Sequence, residues 1–118
     1  MNKLQTLQAF WSGFGIPAYD ENSVPDEAQL PYITYDVSVD DFGNSVAQTA
    51  SLWYKSTSWR DITEKEMEIA EFVGRGGRMI AYDNGAMWIR KANPWAQRMS
   101  DSDTVKRMIL NLEIEYLD

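Results

Sequence analysis

The 118-residue chain contains neither cysteine nor histidine. Without cysteine there are no disulfides, thiolate metal sites, iron–sulfur clusters or cysteine nucleophiles. Without histidine there are no histidine-based triads, no histidine-ligated haem and few of the usual transition-metal ligand sets. Most familiar catalytic toolkits are therefore missing, and the expectation is a protein that is not an enzyme and takes no cofactor. The chain also lacks any apolar run of about 18 residues, so no membrane span is expected; its start carries one lysine but no apolar signal core. A cytosolic product is expected, in keeping with the missing cysteine.

What the chain does have is apolar bulk: 44% of its residues are hydrophobic and 13% aromatic, including five tryptophans, against 25% charged. That is enough to pack a core without staples, in one domain covering residues 1–118. Its net charge of −7 is unevenly spread. From Tyr19 to Asp41 there are seven acids (Asp20, Glu21, Asp26, Glu27, Asp36, Asp40, Asp41) and no base. From Arg75 to Arg107 there are seven bases (Arg75, Arg78, Arg90, Lys91, Arg98, Lys106, Arg107) against three acids. Such runs ordinarily solvate loops. The sharper reading is self-association, because one acidic and one basic patch can join copies head to tail into a ring. Sequence-specific nucleic acid is a poor partner for so acidic a chain.

Leu4, Leu7, Trp11 and Phe14 recur at helical spacing and predict an N-terminal helix ending near Gly13 to Gly15. Residues 16–31 hold three of the four prolines and read as an extended connection. Period-two alternation then puts Ile33, Tyr35, Val37 and Val39 on one face of a strand. Asp40-Asp41-Phe42-Gly43-Asn44 reads as a turn, and Val46 to Tyr54 as the second strand of a hairpin. Thr63 with Glu66 has the spacing of a capping box, and Ile62 with Met67 that of a hydrophobic staple, which predicts a second helix burying Ile62, Ile69, Ala70 and Val73 up to Gly74. Asn84-Gly85 marks another hairpin, residues 91–103 read as a loop, and Met108 to Tyr116 alternate as a long closing strand. The expected fold is α+β, with a mostly antiparallel sheet of about five strands and two helices on one face, in the order α-β-β-α-β-β-β.

Few constellations point to chemistry. Gly74-Arg75-Gly76-Gly77-Arg78 looks like a phosphate cradle, but it leaves a helix instead of entering one, so a helix stop and turn is the better reading. Asp101-Ser102-Asp103 has the opening of a calcium loop, yet Lys106 and Leu112 stand where glycine and glutamate are required. A structural role in capping the closing strand is expected instead. Trp53, Trp59, Trp88 and Trp95 are candidate stacking platforms, though aromatics at strand positions are mostly core. Trp95, in the expected loop beside Gln97 and Arg98, has an interface-like composition. The candidate interface residues are Asp40, Asp41, Arg75, Arg78, Trp95, Arg98 and Arg107; no catalytic, cofactor-binding or metal residue is assigned.

Three stretches carry a resemblance: Leu30-Pro31-Tyr32-Ile33-Thr34-Tyr35; Ser58-Trp59-Arg60-Asp61; and Asn93-Pro94-Trp95-Ala96-Gln97-Arg98-Met99-Ser100-Asp101 ahead of a strand ending Asn111-Leu112-Glu113-Ile114-Glu115-Tyr116-Leu117. Together they resemble the tail terminator or tail completion proteins of long-tailed phages and Gram-positive prophages. The resemblance implies a structural protein forming a ring, six-fold in the family, at the head-proximal end of the tail tube. There it would stop tail polymerisation and offer a head–tail joining surface. Implied partners are further copies of the chain, the tail tube protein and a head–tail connector protein, and the implied location is the host cytoplasm during assembly and then the virion neck. Another neck component, or a monomeric protein-binding module using the Trp95 loop, are the alternatives.

Overall fold

Asn2 starts the first helix with a reciprocal cap: its side chain accepts from the Gln5 amide at 2.9 Å, and the Gln5 side chain accepts from the Asn2 amide at 3.0 Å. The structure, a computed structural model, describes residues 1–39, 44–99 and 102–118. In chain order the elements are α1 (Lys3–Ser12), β1 (Ala18–Asp20), β2 (Tyr32–Tyr35), β3 (Ser45–Lys55), α2 (Arg60–Val73), β4 (Arg78–Tyr82), β5 (Gly85–Met99) and β6 (Val105–Leu117). They form one α+β domain whose sheet has six strands ordered β1-β2-β3-β6-β5-β4. All neighbours are antiparallel except β1 and β2, which run parallel.

The core lies between the two helices and one face of this sheet. Alternation delivers Met108, Leu110, Leu112, Ile114 and Tyr116 of β6 to that face, joined by Ala50 and Leu52 of β3 and Met87 and Ile89 of β5. The helices add Leu7, Phe10 and Trp11 from α1 and Ile62, Ile69 and Val73 from α2. Each such side chain, taken wholly out of water, contributes about 1.5–3 kcal/mol. Gln48, 1% exposed, is a polar side chain within this core. Its amide donates to the Asp36 carbonyl at 2.9 Å, and its oxygen accepts from Trp11 Nε1 at 3.3 Å, so the buried group is partnered.

The sheet has one strand more than expected. Residues 18–20 lie inside the stretch read as a connection, and three residues are too few to show a period; they become β1 only by pairing Ala18 with Ile33 and Asp20 with Tyr35. The first hairpin is shorter than expected. After Tyr35 the ladder is continued by Asp36, whose amide donates to the Thr49 carbonyl and whose side chain accepts from the Thr49 amide, both at 3.0 Å. Val37 and Val39, expected on the buried face, are exposed. Burial pushes the Asp36 carboxyl above its ordinary value, against the lowering effect of the Thr49 bond. Of the expected turn at residues 40–44, all but Asn44 lies outside the described residues.

Leu4, expected on the buried stripe of α1, is exposed; it sits in the first turn, where the Met1 carbonyl accepts from the Asp83 amide at 2.7 Å. The second helix begins before its capping-box signal. Trp59 is its N-cap, and no side chain caps it, although the Ser58 hydroxyl accepts from the Arg60 amide at 3.1 Å. The Thr63 amide already donates to the Trp59 carbonyl at 3.0 Å, so Thr63 is an ordinary first-turn residue, and Met67 lies exposed instead of stapling. Packing of Trp59 against the core sets this start, overriding the local pattern.

Residues 91–99, expected to be loop, continue β5. Lys91 faces Leu112 and Ala96 faces Leu110, so β5 carries three surplus residues in a bulge around Pro94, which has no N–H to give to a ladder. The bulge reverses the alternation: Met87 and Ile89 point to the core before it, Ala96 and Arg98 after it. That reversal hides the strand from any period-two reading. The peptides before Pro31 and Pro94 are cis.

The Asn84 hairpin is as expected, with Tyr82 opposite Gly85 across a two-residue turn. Asn84 takes the left-handed position at φ 66°, whereas Gly85 is required by crowding: a Cβ there would lie 2.6 Å from the Leu117 carbonyl oxygen. Gly77 meets both demands, with φ +88° and a would-be Cβ 2.6 Å from the Ile89 oxygen.

Candidate functional site

Neither α1 nor α2 covers the second face of the sheet. Its residues are the other halves of the alternating strands, and register places Tyr32, Trp53, Arg107 and Met99 side by side in one row across β2, β3, β6 and β5. Tyr19 of β1 extends the row, its ring 5.7 Å from that of Tyr32 and nearly perpendicular to it. The Arg107 guanidinium lies 4.5 Å from the Trp53 ring centre, and its Nε donates to the Ser51 hydroxyl at 3.2 Å. Trp53 Nε1 in turn donates to the Thr34 hydroxyl at 2.9 Å. The Trp53 ring is thus held flat between strands with a cation on its face, an arrangement worth about 0.5–1 kcal/mol where water has access.

Two further tryptophans repeat the motif. Arg90 lies 4.1 Å from the Trp88 ring centre and bridges Glu113 at 3.1 Å. Arg98 lies 4.8 Å and Lys106 5.7 Å from the ring of Trp59, on the helix side of the sheet. Lys106 Nζ also donates to the carbonyls of Ser102 and Asp103. Among the described residues no carboxylate lies within ion-pair distance of Arg98, Lys106 or Arg107.

The candidate interface residues are therefore dispersed. Arg98 and Arg107 share the end of the sheet where β5 stops and β6 starts. Arg78 stands at the start of β4, its Nε donating to the Phe72 carbonyl at 2.6 Å and its guanidinium 4.0 Å from the Phe72 ring centre; Arg75 is exposed in the turn before it. Trp95 is not in a loop: it is a half-buried strand residue packed against the core, its Nε1 buried and unpartnered. Asp40 and Asp41 lie outside the described residues. Of the Asp101-Ser102-Asp103 triplet, Ser102 performs the capping, accepting from the Val105 amide at 3.0 Å; Asp101 is not described. Sequence reasoning missed the pairing of cations with tryptophans. Its signal was parity: Trp53 and Arg107 both occupy positions that the buried alternation leaves to the other face.

One groove of about 430 Å³ lies between the end of α1, α2 and the start of β4, lined by Gly13, Phe14, Glu68, Glu71, Phe72 and Arg78. Its charges are largely answered within the molecule. Glu68 bridges Lys65 at 2.9 Å, and Lys65, mostly covered, donates to the Phe14 carbonyl at 2.5 Å. No cluster of three or more acidic side chains able to hold a metal ion forms among the described residues. The arrangement as a whole offers π faces, guanidinium groups and strand edges, which are means of adhesion. No model of a known protein family matches the chain, and no curated protein sequence does.

Proposed function

We propose that this chain is a structural assembly protein that forms a ring at the head-proximal end of a phage tail tube, ending tail polymerisation and presenting the surface to which the head joins. The reading starts from the sequence resemblance, and one observation supports it most: the strand order separates the two charges across the width of the sheet. The exposed acids Glu21, Asp26 and Glu27 follow β1 at one edge. Arg98 belongs to β5, four strand spacings away, or roughly 19 Å. Beyond Ile89 no described strand flanks β5 on its outer side, so this cationic stretch is itself an edge. Complementary patches on opposite edges fit a heterologous contact, the kind that closes into rings.

The test is solution mass by light scattering over a wide concentration range, with negative-stain images of the heaviest fraction. Closed rings are expected, and Arg98→Glu combined with Arg107→Glu is expected to weaken them while the circular dichroism spectrum is kept. A chain that stays monomeric both alone and in the presence of tail-tube ends overturns the reading.

A further inference from the structure

The two outer edges of the sheet are finished differently. On β1, the Ala18 carbonyl accepts from Gln8 Nε2 at 3.0 Å and the Asp20 carbonyl accepts from the Ser23 amide at 2.9 Å, so the outward acceptors are already taken. On β4 the hairpin fixes which groups face out. A two-residue turn makes Tyr82 and Gly85 a hydrogen-bonded pair, and alternation then makes Ile80–Met87 and Arg78–Ile89 bonded pairs as well. The N–H and C=O groups of Met79 and Ala81 must therefore point away from β5. Among the described residues none of them has a hydrogen-bond partner; the only outward group that does is the Asp83 amide, at the strand's end, held by the Met1 carbonyl.

Among the described residues the edge is left open between Arg78 and the Met1 contact at Asp83. It has no proline, no bulge and no charge between Arg78 and Asp83, and Met79 is 57% exposed. Large exposed apolar side chains border it: Met79 within it, Phe72 beneath Arg78, Met1 beside Asp83, and Leu4 one turn further along α1.

We propose that β4 is a two-fold pairing edge whose partner is β4 of a second copy of this chain. The edge is complementary to itself. With outward groups only at positions 79 and 81, an antiparallel pair centred on Ile80 sets Met79 of each copy opposite Ala81 of the other in hydrogen-bonded pairs, a large side chain against a small one. The same register sets Arg78 of each copy opposite Tyr82 of the other, one residue short of Asp83. Both six-stranded sheets then become one continuous sheet across the two-fold axis. This contact is isologous and does not depend on the ring, which would use Arg98 and the acidic edge instead.

The test uses the absence of cysteine from the chain. In the proposed register the two Ile80 residues face each other in a non-bonded pair with Cα atoms about 4.5 Å apart, within disulfide reach, while the two Met79 residues are too far apart to bridge. Under mild oxidation Ile80→Cys is expected to give a covalent dimer on a non-reducing gel, and Met79→Cys is not. Ala81→Pro removes only an outward N–H, and is expected to keep the circular dichroism spectrum and abolish the two-fold mass increase of the wild-type chain on concentration. Should Ala81→Pro disturb the fold, Met79→Lys, which places a charge on the edge, is expected to have the same effect on mass. No covalent dimer from Ile80→Cys, equal cross-linking from Met79→Cys, or unchanged association in both edge variants overturns the proposal. Rings that persist in Ala81→Pro leave the tail reading standing, and dimers without rings leave only this one.

Discussion

Leu110 and Ile109 are neighbours on β6 with similar side chains, yet Leu110 is fully buried beneath the helices while Ile109 is half-exposed on the uncovered face. The two faces of this sheet are built on different principles. The covered face is held chiefly by apolar contact, with the partnered Gln48 within it and Arg98 and Lys106 on the Trp59 ring at its end. The uncovered face keeps water near and is held by guanidinium groups lying on tryptophan rings and bridging carboxylates.

Leu110→Ala is expected to have the largest effect on that contrast. It should lower unfolding free energy by about 2–5 kcal/mol, while Ile109→Ala costs under about 1.5 kcal/mol, read from denaturant midpoints at constant slope. Equal losses would mean that the uncovered face is also core. A sharper comparison is offered by the two glycines before β4. Gly74 and Gly77 share positive φ, but only Gly77 is crowded, so Gly74→Ala should cost about 1–3 kcal/mol for its backbone alone and Gly77→Ala more, with thermal midpoints separating them.

A further effect is one of pH. Burial pushes the Tyr116 hydroxyl, which donates to the Ser38 carbonyl at 2.9 Å, up to about 12, with the neighbouring Tyr82 and Asp36 adding to the rise. In the unfolded chain the same group ionises near 10. Below pH 10 both states hold the proton and the stability is fully present. Between 10 and 12 the unfolded state releases it first, so stability falls, by up to roughly 1.4 kcal/mol per pH unit for this group. Tyr116→Phe should flatten the decline in chemical-denaturation curves measured across that window; an unchanged slope would assign the decline to other groups, such as Tyr54, also raised to about 12 chiefly by burial.

The legible parts of the molecule were those with a long, uninterrupted period. The alternation from Met108 to Tyr116 is β6, Leu7 and Trp11 are buried on α1, and Asn84 turns a hairpin. The candidate site was less legible, because Arg98 and Trp95 follow a bulge that reverses the pattern, and because a cation on a ring requires two strands to be neighbours.

By itself, then, the sequence determined which residues share a face along each continuous helix or strand, since local spacing alone decides that; whether a given position such as Leu4 leaves water was decided by what packs there. It also excluded thiol and imidazole chemistry outright. Tertiary structure alone decided that residues 18–20 form a strand, that α2 begins at Trp59, that β5 runs on through Pro94, and that the outward carbonyls of β1 are taken while those of β4 are not. Each of these depends on a partner distant in the chain, such as Ile33 for Ala18, Leu110 for Ala96 or Gln8 for the β1 edge. A main-chain hydrogen bond to a remote residue leaves no mark on the periodicity of either segment.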